Sequence, residues 1–138
     1  MGHYPIFLNI EGRRCVVIGG GPVAERKVEG LLRDGASVTV ISPSLTKSLE
    51  SLANEENIRH LARDYREGDL ADYQLAFAVT GDDGVNAAVA REGRERGVWV
   101  NAADDPAHCD FGQFAAATEK AILGESMKPF RRNPGFLG

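Results

Sequence analysis

The sequence predicts an α/β protein built on a doubly wound parallel sheet. Two observations carry that prediction. Short, nearly continuous apolar runs alternate along the chain with longer segments whose apolar residues recur at helical spacing. Strands separated by helices are joined by crossovers, and right-handed crossovers give a parallel sheet covered on both faces. A third observation fixes where the fold presents a site: three glycines stand directly after the first apolar run, at the first strand–helix junction.

The elements follow in order. RCVVIG (14–19) is a strand apolar on both faces. PVAERKVEGLLRD (22–34) is a helix whose stripe is Ala24, Val28, Leu31 and Leu32, and Gly35 stops it. SVTVIS (37–42) is the second strand. A polar-faced helix over 44–56 turns Leu45, Leu49 and Leu52 inward, with Ser44 as its cap. IRHLAR (58–63) is a short third strand, and 64–73 is a loop with one helical turn. QLAFAVT (74–80) is a central fourth strand. Residues 83–97 form a helix ended by Gly97, and VWVNAAD (98–104) is the fifth strand. Beyond Asp105 the regularity fades. A sixth strand and a turn are expected within 111–123, and an extended tail over 124–138, where three glycines and two prolines interrupt any stripe.

A chain of 138 residues makes one domain. The net charge of -4 supplies no reason for a basic face, so nucleic acid is not an expected partner. No apolar run approaches the ~20 residues that cross a bilayer, and the N-terminus lacks the basic-then-apolar order of a signal peptide. The expected location is cytoplasmic. Cys15 lies in a core strand, neither cysteine has a partner at structural-zinc spacing, and His3 and His60 look incidental.

The glycine run reads as a phosphate turn. Gly19 makes the tight turn, Gly21 lets a pyrophosphate approach the backbone, and Ala24 is small enough for helix and strand to pack closely. Gly20 adds freedom of turning. Pro22 starts the helix, where its fixed φ is suitable, but it removes one N–H donor. An anion then relies on the N–H of Val23, its neighbours and the helix dipole. The bare pattern is equally consistent with a glycine turn that holds nothing. Where an acid usually binds the ribose, at the end of the second strand, this chain has Ser42, Pro43 and Ser44. The residues therefore leave the choice between NAD and NADP open.

YPIFLNIEGRRCVVIGGGPVAERKVEGLL, GASVTVISPSL, AVTGDDGVN and VNAADDPAHCDF occur in this order from Tyr4 to Phe111. Together they resemble the siroheme-synthase dehydrogenase domain, the precorrin-2 dehydrogenase family. The resemblance implies a Rossmann-like, NAD(P)-binding domain over 1–111, with 112–138 as the start of a dimerisation region or an irregular tail. It implies oxidation of the tetrapyrrole precorrin-2 to sirohydrochlorin with NAD as cofactor, on the route to siroheme. Some members also insert ferrous iron, and others cobalt; full members are homodimers. The family's catalytic aspartate falls on Asp104, just past the fifth strand, where a base for the departing proton is useful. Asp105 before Pro106 reads as a turn residue, and His108 as an exposed loop histidine.

Thr80 and Asn101 end strands beside the expected crevice, and Asp82 and Asn86 belong to the matched T-x-D-x-x-x-N stretch. Asp82 is equally well read as a helix cap. The expected cofactor contacts are thus Gly19, Gly20, Gly21, Pro22, Val23, Ala24, Ser42, Pro43, Ser44, Thr80, Asp82 and Asn101, with no residue set assigned to a metal. Two departures stand out. Gly81 occupies a position where the family usually has Asp, and the pattern breaks after Phe111. The second departure keeps an alternative open, a nucleotide-binding module without catalysis.

Overall fold

The structure is a computed structural model in which residues 2, 4–102 and 109–112 are described. Asp104, Asp105, His108, the expected sixth strand and the expected tail lie outside the described residues. The described residues form five strands and three helices in the order β1 (Arg14–Ile18), α1 (Pro22–Arg33), β2 (Ser37–Ile41), α2 (Lys47–Asn54), β3 (Arg59–Leu61), β4 (Leu75–Ala78), α3 (Asp83–Arg96) and β5 (Trp99–Ala102), with no helix between β3 and β4. All pairings are parallel, in the order β3-β2-β1-β4-β5.

Residue alternation in the strands explains the two layers. Cys15 and Val17 of β1 and Val38 and Val40 of β2 meet Ala24, Val28 and Leu31 of α1 and Leu49 of α2. Val16, Ile18 and Ile41 point the other way, with Ala76 and Ala78 of β4, onto Val89 and Ala90 of α3. The continuous apolar strands are therefore buried on both faces, as a parallel sheet requires. Burial pushes the Cys15 thiol up to about 11, so it is an inert core group.

Helix α1 begins at Pro22, as expected, and ends with Gly35 at φ +85°, where Ala36 N–H donates to Leu31 O and Gly35 N–H to Leu32 O. Gly97, at φ +73°, ends α3. The second helix differs from expectation. It spans Lys47–Asn54 and is capped by Thr46, whose hydroxyl oxygen accepts from Leu49 N–H at 3.2 Å. Ser44 does not cap it, because the Ser42 hydroxyl takes the Ser44 carbonyl at 2.7 Å and holds this stretch in a turn. Strand β3 is shorter than 58–63. Past Leu61 the chain turns, and Arg63 pairs with both oxygens of Asp69 at 2.8 and 2.9 Å. Segment 64–73 carries turns rather than a helical turn.

Sheet edge β5 is covered from within the chain. Val100 N–H donates to the Asp110 carboxylate at 2.8 Å, and Asp110 N–H donates to Val100 O at 2.7 Å. Phe111 reaches back to the core, with its ring edge-on to Phe77 at 5.5 Å. Such pairing is one way to blunt an edge strand.

Candidate functional site

The strand order reverses between β1 and β4, since β2 and β3 lie on one side of β1 and β4 and β5 on the other. Open α/β sheets bind ligands outside the carboxyl ends of the strands at such a point. The turn at that point is Gly19–Gly21.

Each glycine there has a different reason. Gly19 sits at φ +135°, and an added Cβ would come within 2.8 Å of Val79 O, so the turn passes tightly over the end of β4. Gly20 does more than add turning freedom. An added Cβ would collide with the Ser44 carbonyl oxygen and lie 2.7 Å from Ser42 Oγ. Gly20 O also accepts from Thr46 N–H at 3.0 Å, which joins the glycine turn to the β2–α2 loop. Gly21 is the opposite case, with no atom within 4 Å of an added Cβ. It is also the N-cap of α1, with no side chain capping the helix. The helical ladder begins with Glu25 N–H to Gly21 O at 2.9 Å, so the N–H groups of Val23 and Ala24 precede it. An anion in the open space at Gly21 faces these donors and the positive end of the helix dipole. Ala24 is fully buried between helix and sheet, the role expected of a small third residue.

On the β2 side, the predicted ribose residues are drawn into an internal network. Ser42 is only 7% exposed, and its hydroxyl proton is committed to Ser44 O. Ser44 N–H faces Ser42 Oγ at 3.4 Å. His60, which looked incidental, places Nε2 2.8 Å from Ser42 O and so pins the strand end. Thr46 donates its hydroxyl to Glu25 Oε1 at 2.7 Å. Pro43 and Ser44 are exposed at the rim.

On the β4 side, Thr80 and Asn86 grip each other. Thr80 donates its hydroxyl to Asn86 Oδ1 at 2.7 Å and its N–H to the same oxygen at 3.2 Å, while Asn86 Nδ2 donates to Thr80 O at 3.1 Å. Asp82 caps α3, with Oδ1 accepting from Gly84 N–H at 2.8 Å and Val85 N–H at 3.2 Å. Of its two sequence readings, the cap is the one the described residues display. Gly81 has no atom within 4 Å of an added Cβ, so the β4–α3 loop is bare at that residue as well. Asn101, the penultimate residue of β5, is 8% exposed and donates Nδ2 to Phe111 O at 2.8 Å, and Cys109 donates to Ala102 O at 3.1 Å. These bonds tie 109–112 to the end of β5.

The fold thus brings Gly19–Ala24, Ser42–Ser44 and Thr80–Asp82 to one sheet edge, while Asp104 lies outside the described residues. The site fits a dinucleotide through its open backbone at Gly21. Sequence reasoning passed over Glu25, Thr46 and His60, whose partners are far off in the chain. It also passed over a buried carboxylate elsewhere. Glu92 is 2% exposed and accepts from the Tyr65 hydroxyl, from Leu70 N–H at 3.1 Å and from Arg96 Nε at 2.6 Å. Burial pushes the Glu92 carboxyl up, but these hydrogen bonds outweigh it and hold it below the usual range. Burial, then the bond to Glu92, raises the Tyr65 hydroxyl. Among the described residues, no three His, Cys, Asp or Glu side chains gather as a metal site. No described helix is long and apolar enough to cross a membrane.

Known proteins resemble this chain in family, sequence and fold. Residues 6–114 match a family described as putative NAD(P)-binding. The siroheme synthase of Nitrosomonas europaea is 42% identical over 112 residues, 80% of this chain and 24% of that protein. The siroheme synthase of Methylobacillus flagellatus is 45% identical over 107 residues, 78% of this chain and 23% of that one. The chain therefore spans about a quarter of the length of the curated relatives it matches. A solved structure titled "SirC, precorrin-2 dehydrogenase" superposes with a TM-score of 0.71 over 91% of this chain and 71% of that one, at 23% identity. That likeness establishes the Rossmann-like fold.

Proposed function

The chain belongs to the putative NAD(P)-binding family, and from that premise we propose that it is the dinucleotide-binding part of a cytoplasmic precorrin-2 dehydrogenase. The observation that carries the reading is the open backbone at Gly21, set at the switch point and ahead of α1. Two relatives at 42% and 45% identity are named siroheme synthase, and the structural neighbour is titled a precorrin-2 dehydrogenase.

In this reading Gly21 and the N–H groups of Val23 and Ala24 hold the pyrophosphate of NAD. When bound, the cofactor supplies the hydride acceptor for the oxidation of precorrin-2 to sirohydrochlorin. The chain's own residues position it. Gly19 and Gly20 fix the height of the turn, and the Thr80–Asn86 clamp and the Asp82 cap hold the β4–α3 loop at the rim. Asp104, two residues past the end of β5, is the group we assign to accept the proton that leaves the substrate carbon. On the resemblance alone, the proposal extends to a homodimer and to ferrous iron or cobalt as a co-substrate.

The test is anaerobic turnover of precorrin-2 with NAD, followed by sirohydrochlorin absorbance. The expected result is NAD-dependent product, with Asp104→Ala lowering turnover about 100-fold or more and leaving NAD affinity within about two-fold. A fully active Asp104→Ala variant sinks the base assignment. NAD binding without turnover supports the alternative of a non-catalytic module.

A further inference from the structure

A dinucleotide seated on the Gly19–Gly21 turn lays its adenosine ribose toward β2, the neighbour of β1 away from β4. Sheets of this kind usually end that strand in an acid that takes the ribose hydroxyls. Here the residue just past the strand is Ser42, whose proton is already committed to Ser44 O. Ser42 can still accept a hydrogen bond, but it brings no charge with which to tell a hydroxyl from a phosphate.

A carboxylate does reach this loop, from a different element. Glu25 stands in the first turn of α1, one residue after the buried Ala24, and its Oε1 accepts from the Thr46 hydroxyl at 2.7 Å. Thr46 is itself held firmly. Its N–H donates to Gly20 O at 3.0 Å, and its side-chain oxygen accepts from Leu49 N–H at 3.2 Å. Glu25 is therefore drawn from α1 onto the β2–α2 loop, the side on which the adenosine lies. A carboxylate offers about four acceptor positions, and the Thr46 hydroxyl takes one of them.

We propose that Glu25 replaces the missing strand-end acid: it accepts hydrogen bonds from the adenosine-ribose hydroxyls and selects a free 2′-hydroxyl over a 2′-phosphate, with Thr46 positioning it. This rests on the reading of the turn as a dinucleotide site. The discrimination follows from charge. A 2′-hydroxyl donates to a carboxylate, whereas a 2′-phosphate offers only acceptors and a like charge at the same place. Lys47, the first residue of α2, follows this loop, but it is exposed, so its pull on a phosphate is screened by water and salt. The acid in the first turn also suits the helix dipole. Because it leans onto Thr46, its charge lies to the side of the open space at Gly21 instead of within it.

The experiment is titration of the chain with NAD and, separately, with NADP, read by calorimetry. It is done on the wild type, on Glu25→Gln and on Thr46→Val, with thermal melting to confirm that each is folded. We expect the wild type to favour NAD about 100-fold, a ratio typical of a lost and opposed charge-assisted contact. Glu25→Gln keeps an acceptor for Thr46 and loses the charge, so NADP affinity rises and the ratio falls at least ten-fold. Thr46→Val lowers the ratio by less, through a carboxylate that is present but no longer held. A wild type that binds both dinucleotides equally overturns the assignment without needing either variant. An unchanged ratio in folded Glu25→Gln also overturns it, while leaving the dinucleotide reading intact. Binding of neither dinucleotide by the wild type overturns the dinucleotide reading and, with it, this one.

Discussion

The Glu92 network and the Gly21 turn treat polar groups in opposite ways. Around Glu92, a nearly inaccessible carboxylate takes hydrogen bonds from a phenol and a backbone N–H of the β3–β4 segment and from a guanidinium of α3. That cluster has no vacancy for a ligand, and its purpose is to fasten the β3–β4 segment to α3. At the glycine turn, Gly20 is packed hard against Ser42 and Ser44, yet one residue later Gly21 faces open space before the start of a helix. A buried polar group must be paired inside the protein. A polar group at a rim can instead be left for something that binds. The difference separates residues that hold the fold from residues that use it.

The largest effect is expected at Glu92. Replacing it with Ala leaves the Tyr65 hydroxyl and Leu70 N–H without their acceptor, and costs about 3 kcal/mol of stability. Chemical denaturation reads the loss, and NAD affinity of the folded protein should stay within about two-fold. The same network sets a pH dependence. The folded-state pKa of Glu92 is lowered, so its contribution is complete above the ordinary carboxylate range and disappears as pH falls through the folded value. Asp69, lowered mainly by Arg63 against its own burial, acts in the same sense. Acid denaturation of Glu92→Gln should therefore show a shallower loss of stability than the wild type.

The converse substitution is Gly21→Val. The position has φ -92° and no neighbour within reach of a Cβ, so the stability loss should be limited to that of a poorer N-cap, about 1 kcal/mol. NAD affinity should fall about 100-fold, near 2.7 kcal/mol, because the side chain fills the space the pyrophosphate needs. Equal losses of stability and affinity would erase the contrast between the two regions. The smallest effect is expected at Asp82→Ala, which removes the α3 cap and costs about 1 kcal/mol. A loss of NAD affinity beyond about three-fold there would make Asp82 a cofactor contact as well as a cap.

The sequence was readable wherever the signal is local. Apolar runs, helical stripes, the helix-starting Pro22 and the stops at Gly35 and Gly97 all depend on neighbours within a turn or two, and the structure has them. The second helix was read too long because Ser44 and Thr46 are both good caps. What decides between them is the Ser42 hydroxyl and the backbone of Gly20. The site was legible at its glycines, but not in the contacts that shape it. Glu25 and Thr46 are 21 positions apart, Tyr65 and Glu92 are 27 apart, and His60 meets Ser42 across 18. Gly93 shows the same limit. It looks like a flaw inside α3, yet an added Cβ would come within 2.8 Å of Val98 O, so only Gly lets the helix lie close to β5. No periodicity announces such pairs, because the fold creates them.

Whether the dinucleotide sits on the open backbone at Gly21 is tested most directly by a crystal structure of the chain soaked with NAD. Pyrophosphate density is expected over Gly21, within hydrogen-bond reach of the Val23 and Ala24 N–H groups, with the ribose on the Glu25–Thr46 side. NAD bound at any other place on the protein, with the turn left empty, would contradict it.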